Sequence, residues 1–472
     1  MKRNQSRSEN APHQTVTEAI KFKSAGRSIQ IEFTDQKLSP HAGTATFWSF
    51  LQSSGWREAL TKALPHPAPT SNNALSALSK ALSFMQGLLC GAKKLTHVAY
   101  MRRDPMVPAM LGIKRVASQS TLSRFFQGFT SAPANLGCFQ PLFKWCVQRL
   151  PSRREGYALD LDSTRLLHED GHQQGVKTGY TRVGIKPCLH PLLAILSEVR
   201  LVAGFWLRPG DTACANNAVA FFRELWANLP KHVRLRVVRA DSGFCQAALL
   251  ALWEELRLKF IVAARLTSPV KSLLRRETHW CATDIDGTEV AELGFANGEW
   301  PASARLIGIR HRVKDKTSRA GGKLLIDCPG YLYQVMVTNL PFSSSPLAVW
   351  RDYNGRAACE NVIKELDHGY ALPDLACTEF WATEAALSLA VLTHNLIVLF
   401  ERKLGWLEAV TLGSLRYWLF VTAGVFSEAQ GTLTIRLAVP PRERDWWRKL
   451  WAKLTSPFPN CDAVRNRPCF SS

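Results

Sequence analysis

The sequence contains no run of 18 apolar residues, and no apolar segment follows its first residues, Met1-Lys-Arg. The first absence predicts a chain that does not cross a membrane, and the second predicts that it begins without a secretory signal peptide. No two of the 12 cysteines have Cys-x-x-Cys spacing, which argues against a zinc ribbon. Because Cys90, Cys146 and Cys245 follow apolar residues, we expect buried, reduced thiols in a cytoplasmic protein.

Negative charge is scarce. Against 59 lysines and arginines the chain has 38 aspartates and glutamates, so its formal net charge is +21. The basic residues are spread along the chain, which points to a polyanionic partner, with nucleic acid the first candidate. Hydrophobic residues make up 46% of 472 residues, enough for two or three globular domains.

Two carboxylates each follow a segment that is typical of a buried strand. In Tyr157–Asp162 apolar residues alternate with Asp160 and Asp162, which share one face of the predicted strand. A second predicted strand, Val233–Val238, ends just before Asp241. Asp160 competes with Asp162 for the role of first ligand, because both lie on the same face.

The segment from Tyr353 to Asp367 predicts a helix that carries a third carboxylate, Glu360. At 100° per residue Tyr353, Arg356, Glu360, Lys364 and Asp367 share one face, and the opposite positions can pack inward. An Arg and a Glu one turn apart can also form a plain surface ion pair. Three carboxylates from distant parts of a chain are, however, what a two-metal phosphoryl-transfer site requires.

These motifs resemble those of the DDE transposases of bacterial insertion sequences, in the subgroup with a Tyr-x2-Arg-x3-Glu-x6-Lys signature. Tyr353, Arg356 and Glu360 match the signature helix, and Asp162-Ser-Thr and Arg239-Ala-Asp241 match the contexts of the two aspartates. The Asp-x-Thr context favours Asp162 over Asp160. The Ser-x-Ser-Thr-Leu-Ser-Arg stretch at 118–124 and the Thr-His-Asn-Leu stretch at 393–396 are also similar to this subgroup.

The resemblance implies an α/β fold with an RNase H-like catalytic core, a β-rich insertion and a helical N-terminal region. It implies an enzyme that binds terminal inverted repeats, cleaves phosphodiester bonds at the element's ends, and joins the 3′-ends to target DNA. Asp162, Asp241 and Glu360 would hold two Mg²⁺ ions, for which Mn²⁺ can substitute. Double-stranded DNA would be the partner of a homodimer on paired ends, in the bacterial cytoplasm at the nucleoid.

The resemblance also implies DNA contacts by Tyr353 and Arg356. The signature lysine falls on Asp367 in this chain, and Lys364, on the same helical face, can substitute for it. Arg124 follows a Ser-capped helix start and is a further candidate, although a plain capped helix explains the same pattern.

The corresponding division of the chain has five parts. They are a basic flexible arm at 1–26, a helical DNA-binding region at 27–152, a core at 153–264 and 346–430, a β-rich insertion at 265–345, and a basic tail at 431–472. The tail is a basic, Trp-rich helix that either lies on DNA or docks its tryptophans on the core.

Two other functions compete with transposition. An RNase H-like nuclease would cut without joining strands, and a decayed transposase would bind DNA without catalysis, for which Asp367 in place of lysine is the sequence hint. A zinc hydrolase is the third reading, because His168-Glu-Asp-Gly-His172 matches His-Glu-x-x-His. That motif requires a helix, whereas Gly171, Gly175 and Gly179 predict a loop here.

Overall fold

A computed structural model gives the structure of the protein, and it describes residues 20–67, 71–169, 172–181, 183–294, 300–313, 323–325, 328–406 and 408–456. It has a mixed α/β architecture with one large sheet. Short 3₁₀ turns lie at Ala42–Thr44, Met101–Arg103, Ser197–Val199, Ser242–Phe244, Leu372–Asp374 and Pro441–Glu443.

The first described residues form a β-hairpin. Strands β1 (Ile20–Ser24) and β2 (Arg27–Ile31) pair antiparallel, joined by Ala25 and Gly26, which both have positive φ. Such a turn matches the right-handed twist of the strands it joins. Part of the predicted flexible arm, residues 20–24, is therefore a strand, because a two-residue turn returns the chain onto it. Residues 1–19 lie outside the described part.

Seven helices follow the short strand β3 (Leu38–Ser39). They are α1 (Ala45–Ser54), α2 (Trp56–Ala63), α3 (Ala77–Leu89), α4 (Leu95–Tyr100), α5 (Met106–Leu111), α6 (Gln119–Gln127) and α7 (Ala132–Val147). Ser76, Ser118 and Ser131 accept hydrogen bonds from the first-turn amides of α3, α6 and α7 and so fix their starts. Their apolar faces join the main hydrophobic core.

Five strands form the middle of the large sheet, in the order β9-β8-β4-β10-β11. They are β4 (Tyr157–Ser163), β8 (Leu192–Leu196), β9 (Leu201–Trp206), β10 (Leu235–Ala240) and β11 (Phe260–Ala263). Strands β9, β8 and β4 are antiparallel, whereas β4, β10 and β11 are parallel. The parallel crossovers are made by α8 (Ala218–Asn228) and α9 (Ala247–Glu255).

The segment predicted as a β-rich insertion extends this sheet. It contains α10 (Ser268–Arg276), β12 (Cys281–Ala282), β13 (Thr288–Leu293), β14 (Arg305–Arg312), β15 (Lys323–Leu325) and β16 (Cys328–Thr338). β16 pairs antiparallel with β11, with Ile261 opposite Thr338, and β14, β13 and β12 follow outward. The insertion strands and the middle strands thus share one ten-stranded sheet.

Three helices return the chain to the middle of the sheet: α11 (Pro346–Asn354), α12 (Ala357–Gly369) and α13 (Phe380–Leu404). α13 is the one described helix that is long and apolar enough to cross a membrane, and its most apolar window lies entirely inside the protein. There Asn395 holds β9, because its side chain accepts from the Val202 amide at 2.9 Å and donates to the Val202 carbonyl at 2.7 Å.

Smaller elements complete the fold. Strands β5 (Leu166–Leu167), β6 (Lys177–Thr181) and β7 (Gly184–Leu189) form one three-stranded sheet. The last elements are α14 (Leu412–Leu415), a π-helical turn at Arg416–Phe420, β17 (Gly424–Ala429), β18 (Thr432–Leu437) and α15 (Arg444–Thr455). Strands β17 and β18 form a sheet with β3. In the described part of the chain the cysteines are free thiols.

Candidate active site

Asp162 and Asp241 lie at the same edge of the sheet. Strands β4 and β10 are parallel neighbours with Ala240 opposite Leu161. The residue that follows Leu161 is Asp162, and the residue that follows Ala240 is Asp241. Asp162 is buried, with 8% of its surface exposed. The Asp241 side chain accepts from the Gly243 amide at 2.8 Å, which caps a 3₁₀ turn and fixes the carboxylate at the strand end. The structure therefore brings these two predicted ligands together.

Burial and neighbouring charges shift the pKa of Asp162. Burial raises the pKa of Asp162 to about 6; the Arg356 guanidinium lowers this pKa, and the Asp241 carboxylate raises it. A cation bound between a buried aspartate and a second carboxylate would stabilise the charged form of both groups. Carboxylate oxygens are also the donors that hard divalent cations prefer.

Glu360 lies in the first turn of α12, one residue after Cys359. The Cys359 thiol donates to Asp162 Oδ2 at 3.7 Å, so the start of α12 packs against the first aspartate. The side chain of Glu360 is exposed, whereas Val362 and Leu366 on the opposite face are buried as predicted. Across the described ranges, no three His, Cys, Asp or Glu side chains converge closely enough to hold a metal ion. Two of the three predicted ligands are adjacent, and the third is exposed on α12, one residue after the cysteine that contacts Asp162.

Arg356 pairs with the first aspartate. Its Nη2 lies 2.7 Å from Asp162 Oδ2, and only 9% of the residue is exposed. Burial lowers the pKa of Arg356, but the neighbouring acidic groups, with Asp162 the strongest of them, together raise it above its ordinary value, so the guanidinium stays charged. A direct phosphate contact by Arg356 remains a prediction. In the structure, the Arg356 guanidinium is paired with the Asp162 carboxylate.

The signature helix is two helices. α11 ends at Asn354 and α12 begins at Ala357, and Arg356 and Cys359 each donate an amide hydrogen bond to the carbonyl three residues earlier, at 2.9 Å. The predicted single helix from Tyr353 to Asp367 is therefore wrong in detail, because the backbone tightens at Gly355. Tyr353, on α11, still lies near the site: burial raises its pKa, and the charges of Asp241 and Asp162 add to the effect.

Asp160 belongs to a buried ion pair. Its Oδ1 lies 2.6 Å from Arg239 Nε, its Oδ2 lies 3.0 Å from Arg239 Nη2, and the Ser197 hydroxyl also donates to it. Arg239 Nη1 donates to the Asp352 carbonyl of α11 at 2.6 Å. Asp160 is thus buried, and through Arg239 it links β4 to α11. Arg239 precedes Asp241 by two residues and therefore shares its strand face, and this spacing is the signal in the sequence for a role of Arg239 near the site.

The family described as transposase DDE domain group 1 matches residues 22–457. The chain belongs to this transposase family. No curated protein matches the chain. A solved structure, the cryo-EM structure of the piggyBac transposase synaptic complex with hairpin DNA, is similar at 11% identity and a TM-score of 0.42, covering 90% of this chain and 83% of that one.

The other predicted DNA contacts of this transposase lie on its surface. Lys364 is exposed on α12 one turn after Glu360, whereas Asp367, at the signature lysine position, is half-buried. Arg124 is exposed near the end of α6, and its Nε donates to the Ser120 carbonyl at 3.3 Å. Their DNA contacts remain predictions.

The zinc-hydrolase motif does not form a site in the described residues of the transposase. His168 follows β5, and neither it, Glu169 nor His172 lies in a helix. Asp170 and Gly171 lie outside the described part. The mechanism needs both histidines one helical turn apart.

Proposed function

We propose that this chain is an active DDE transposase whose core is RNase H-like. The strand order β9-β8-β4-β10-β11, antiparallel on one side of β4 and parallel on the other, supports the core assignment. One observation carries the functional proposal: Asp162 and Asp241 lie at adjacent parallel strand ends, against the start of the helix that bears Glu360.

The family generally uses divalent metal ions. Asp162, Asp241 and Glu360 would hold two Mg²⁺ ions, with Mn²⁺ as a substitute, and bound ions would supply an activated nucleophile and a stabilised leaving oxygen. The chain's own contribution is to hold the Asp162 carboxylate in place. The Cys359 thiol and Arg356 guanidinium both point at its Oδ2, and the Ser163 amide donates to its Oδ1 at 2.8 Å.

The substrate in this proposal is double-stranded DNA with the terminal inverted repeats of an insertion sequence, and the 3′-ends are joined to target DNA. The net charge of +21 supports a phosphate-rich partner, whose binding should weaken steeply with salt. Tyr353, Lys364 and Arg124 are proposed to contact this DNA. A homodimer on paired ends, in the bacterial cytoplasm, completes the proposal.

The test compares the wild type with Glu360→Gln on labelled DNA bearing the element's own terminal repeats, in Mg²⁺. The matched control is Glu255→Gln, an exposed glutamate of α9. We expect cleavage and joining by the wild type and the control, and binding alone by Glu360→Gln. Cleavage without joining would indicate a nuclease, and binding without cleavage by every variant would indicate a decayed transposase. Full activity of Glu360→Gln would refute the assignment of Glu360.

A second measurement does not depend on activity. Binding of Mn²⁺ can be followed by the loss of the free ion's electron paramagnetic resonance signal. We expect Asp162→Asn and Asp241→Asn each to weaken Mn²⁺ binding, and Glu255→Gln to leave it unchanged. Equal Mn²⁺ binding by all variants would place the metal elsewhere.

A further inference from the structure

Four tryptophans from three segments form a continuous row of ring contacts near the end of the described chain, and two of them are exposed. The ring centroids of Trp406 and Trp418 are 5.2 Å apart, those of Trp418 and Trp446 are 5.6 Å apart, and those of Trp446 and Trp447 are 5.6 Å apart. We refer to Trp406, Trp418, Trp446 and Trp447 as the tryptophan row. Exposed aromatic groups that form a contiguous patch mark binding surfaces in soluble proteins.

The middle of the row is exposed and its end is anchored. Trp418 is 43% exposed, Trp446 is 41% exposed, and the neighbouring Tyr417 is 88% exposed. Trp447 is buried, as are Leu450 and Leu454 on the same helix. The expectation that the tail helix docks its tryptophans on the core thus holds for Trp447 and not for Trp446. The exposed rings sit on a fixed support, so a ligand would not need to order them.

Positive charge lies beside the exposed rings. Helix α15 carries four basic residues (Arg444, Arg448, Lys449 and Lys453) and one acidic residue, Asp445, which gives it a formal charge of 4 − 1 = +3. Residues three and seven positions apart share a helix face, so Lys449 and Lys453 lie on the side of Trp446. Lys453 Nζ donates to the Leu404 carbonyl at 2.6 Å, which fastens α15 to the end of α13. Lys449 is exposed.

We propose that the tryptophan row and Lys449 form a binding surface for single-stranded DNA, with unpaired bases stacked on Trp418 and Trp446. Flat aromatic faces beside basic side chains are the combination that binds unpaired nucleic acid, because every base offers a π-face and every nucleotide a phosphate. Duplex DNA hides its base faces, so it would use only the charges. This surface deepens the proposed function and rests on it, because it assigns unpaired DNA as a partner of the same protein.

The experiment measures binding of the full-length protein to a fluorescein-labelled oligothymidylate by fluorescence anisotropy, with EDTA present so that no cleavage occurs. Three DNA probes are compared: the oligothymidylate, an abasic strand of equal length, and a duplex. The protein variants are the wild type, the double variant W418A/W446A, its conservative counterpart W418F/W446F, and Trp226→Ala. Trp226 is the matched control, since it is an exposed tryptophan of α8 at 36% exposure, outside the row.

We expect W418A/W446A to weaken binding of the oligothymidylate by about tenfold or more, since stacking of each base contributes strongly to affinity. Binding of the abasic strand and the duplex should change by less than about twofold, because phosphate contacts remain. W418F/W446F should retain most of the affinity, and Trp226→Ala all of it.

An unchanged oligothymidylate affinity in W418A/W446A would overturn the proposal and leave a protein partner as the use of this surface. Equal losses on all three probes would also overturn it, because they would show a general loss of DNA binding. Because the assay contains no metal, a failure of this inference is distinguishable from a failure of catalysis. Glu360→Gln, which tests the proposed function, should bind the oligothymidylate as the wild type does.

Discussion

The Nη2 atom of Arg356 lies 2.7 Å from the Oδ2 atom of Asp162, so the arginine of the signature motif neutralises the first aspartate of the candidate active site. Burial raises the pKa of Asp162 to about 6, and without Arg356 this pKa would rise further. The pair keeps a buried carboxylate deprotonated near neutral pH, which metal binding requires. The arginine thus controls the protonation state of a proposed metal ligand.

The first prediction concerns the pH dependence of cleavage by Arg356→Ala. Asp162 must lose its proton to bind metal, so wild-type activity should fall as the pH drops through about 6. Removal of the arginine charge raises the pKa of Asp162, so the acidic limb should move to higher pH, and activity should be lost more at pH 6 than at pH 8. The measurement is the rate of DNA cleavage against pH.

The control for this prediction is Arg351→Ala, which removes an exposed arginine of α11 that pairs with Asp284. Its pH profile should match that of the wild type. A uniform loss of activity in Arg356→Ala, with no displacement of the acidic limb, would show that Arg356 acts through another contact, such as a DNA phosphate.

The second prediction concerns the buried pair of Asp160 and Arg239. Both residues are almost fully buried, and the Asp160→Ala substitution would remove the two hydrogen bonds that the guanidinium donates to Asp160 and leave it only the Asp352 carboxylate, 3.3 Å from its Nη1. Breaking a buried pair in this way costs about 3–5 kcal/mol of unfolding free energy. The surface pair Arg223–Glu255 is the matched control, and Glu255→Ala should cost less than about 1 kcal/mol. Urea unfolding measures both, and equal small losses would show that the buried pair stabilises little.

The third prediction concerns stability against pH. Burial raises the pKa of Glu401 from 4.5 to about 8; Arg200 lowers this pKa, and Glu365 raises it. The folded protein therefore holds this proton more tightly than the unfolded chain, and stability is lost as the pH rises from about 4.5 to about 8. Glu401→Gln mimics the protonated form and should unfold at a higher urea concentration than the wild type at pH 8, but not at pH 5.

The comparison for Glu401 is Glu408→Gln, which changes an exposed glutamate in the following segment. It should leave the dependence of stability on pH as it is in the wild type. If Glu401→Gln were less stable than the wild type at pH 8, the ion pair with Arg200, at 3.5 Å, would outweigh the cost of burial.

The site shows what a sequence can predict. The sequence predicts a strand before each of Asp162 and Asp241, from alternation in one case and an apolar run in the other, and the parallel pairing of the two strands brings the two residues together. The pairing of Arg356 with Asp162 was not found, because it joins residues 194 positions apart (356 − 162) that no local pattern relates. The pairing of Asp160 with Arg239 is equally invisible to local patterns, because these residues also lie far apart in the sequence.

In the fold, too, local patterns are predictable from the sequence and pairings between distant segments are not. Local chemistry predicts the start of α6, because Ser118 caps it. It also predicts strand β4, because apolar and polar residues alternate along it. The β-rich insertion joins the large sheet because β16 pairs with β11, and no local pattern in the sequence predicts this pairing. The strand at 20–24 was missed because its residues are exposed, so no buried face marks it.

The last prediction concerns Gly355, where the signature helix divides. Its φ is ordinary for a helix, so alanine would cause no backbone strain, and helix propensity alone favours the substitution. A Cβ atom there would, however, lie 2.5 Å from Arg239 Nη1, the nitrogen that donates to the Asp352 carbonyl. Gly355→Ala should displace the guanidinium, lower the unfolding free energy by about 1–3 kcal/mol, and reduce DNA cleavage, because Arg239 holds Asp160 two residues before Asp162.

Gly369→Ala is the matched control at the other end of α12, where the nearest atom to the added Cβ, in Glu365, is 3.6 Å away. Urea unfolding and the cleavage rate measure the two effects. If Gly355→Ala were as stable and active as Gly369→Ala, the Arg239 side chain would have room to shift, and glycine at this position would serve something other than the approach of Arg239.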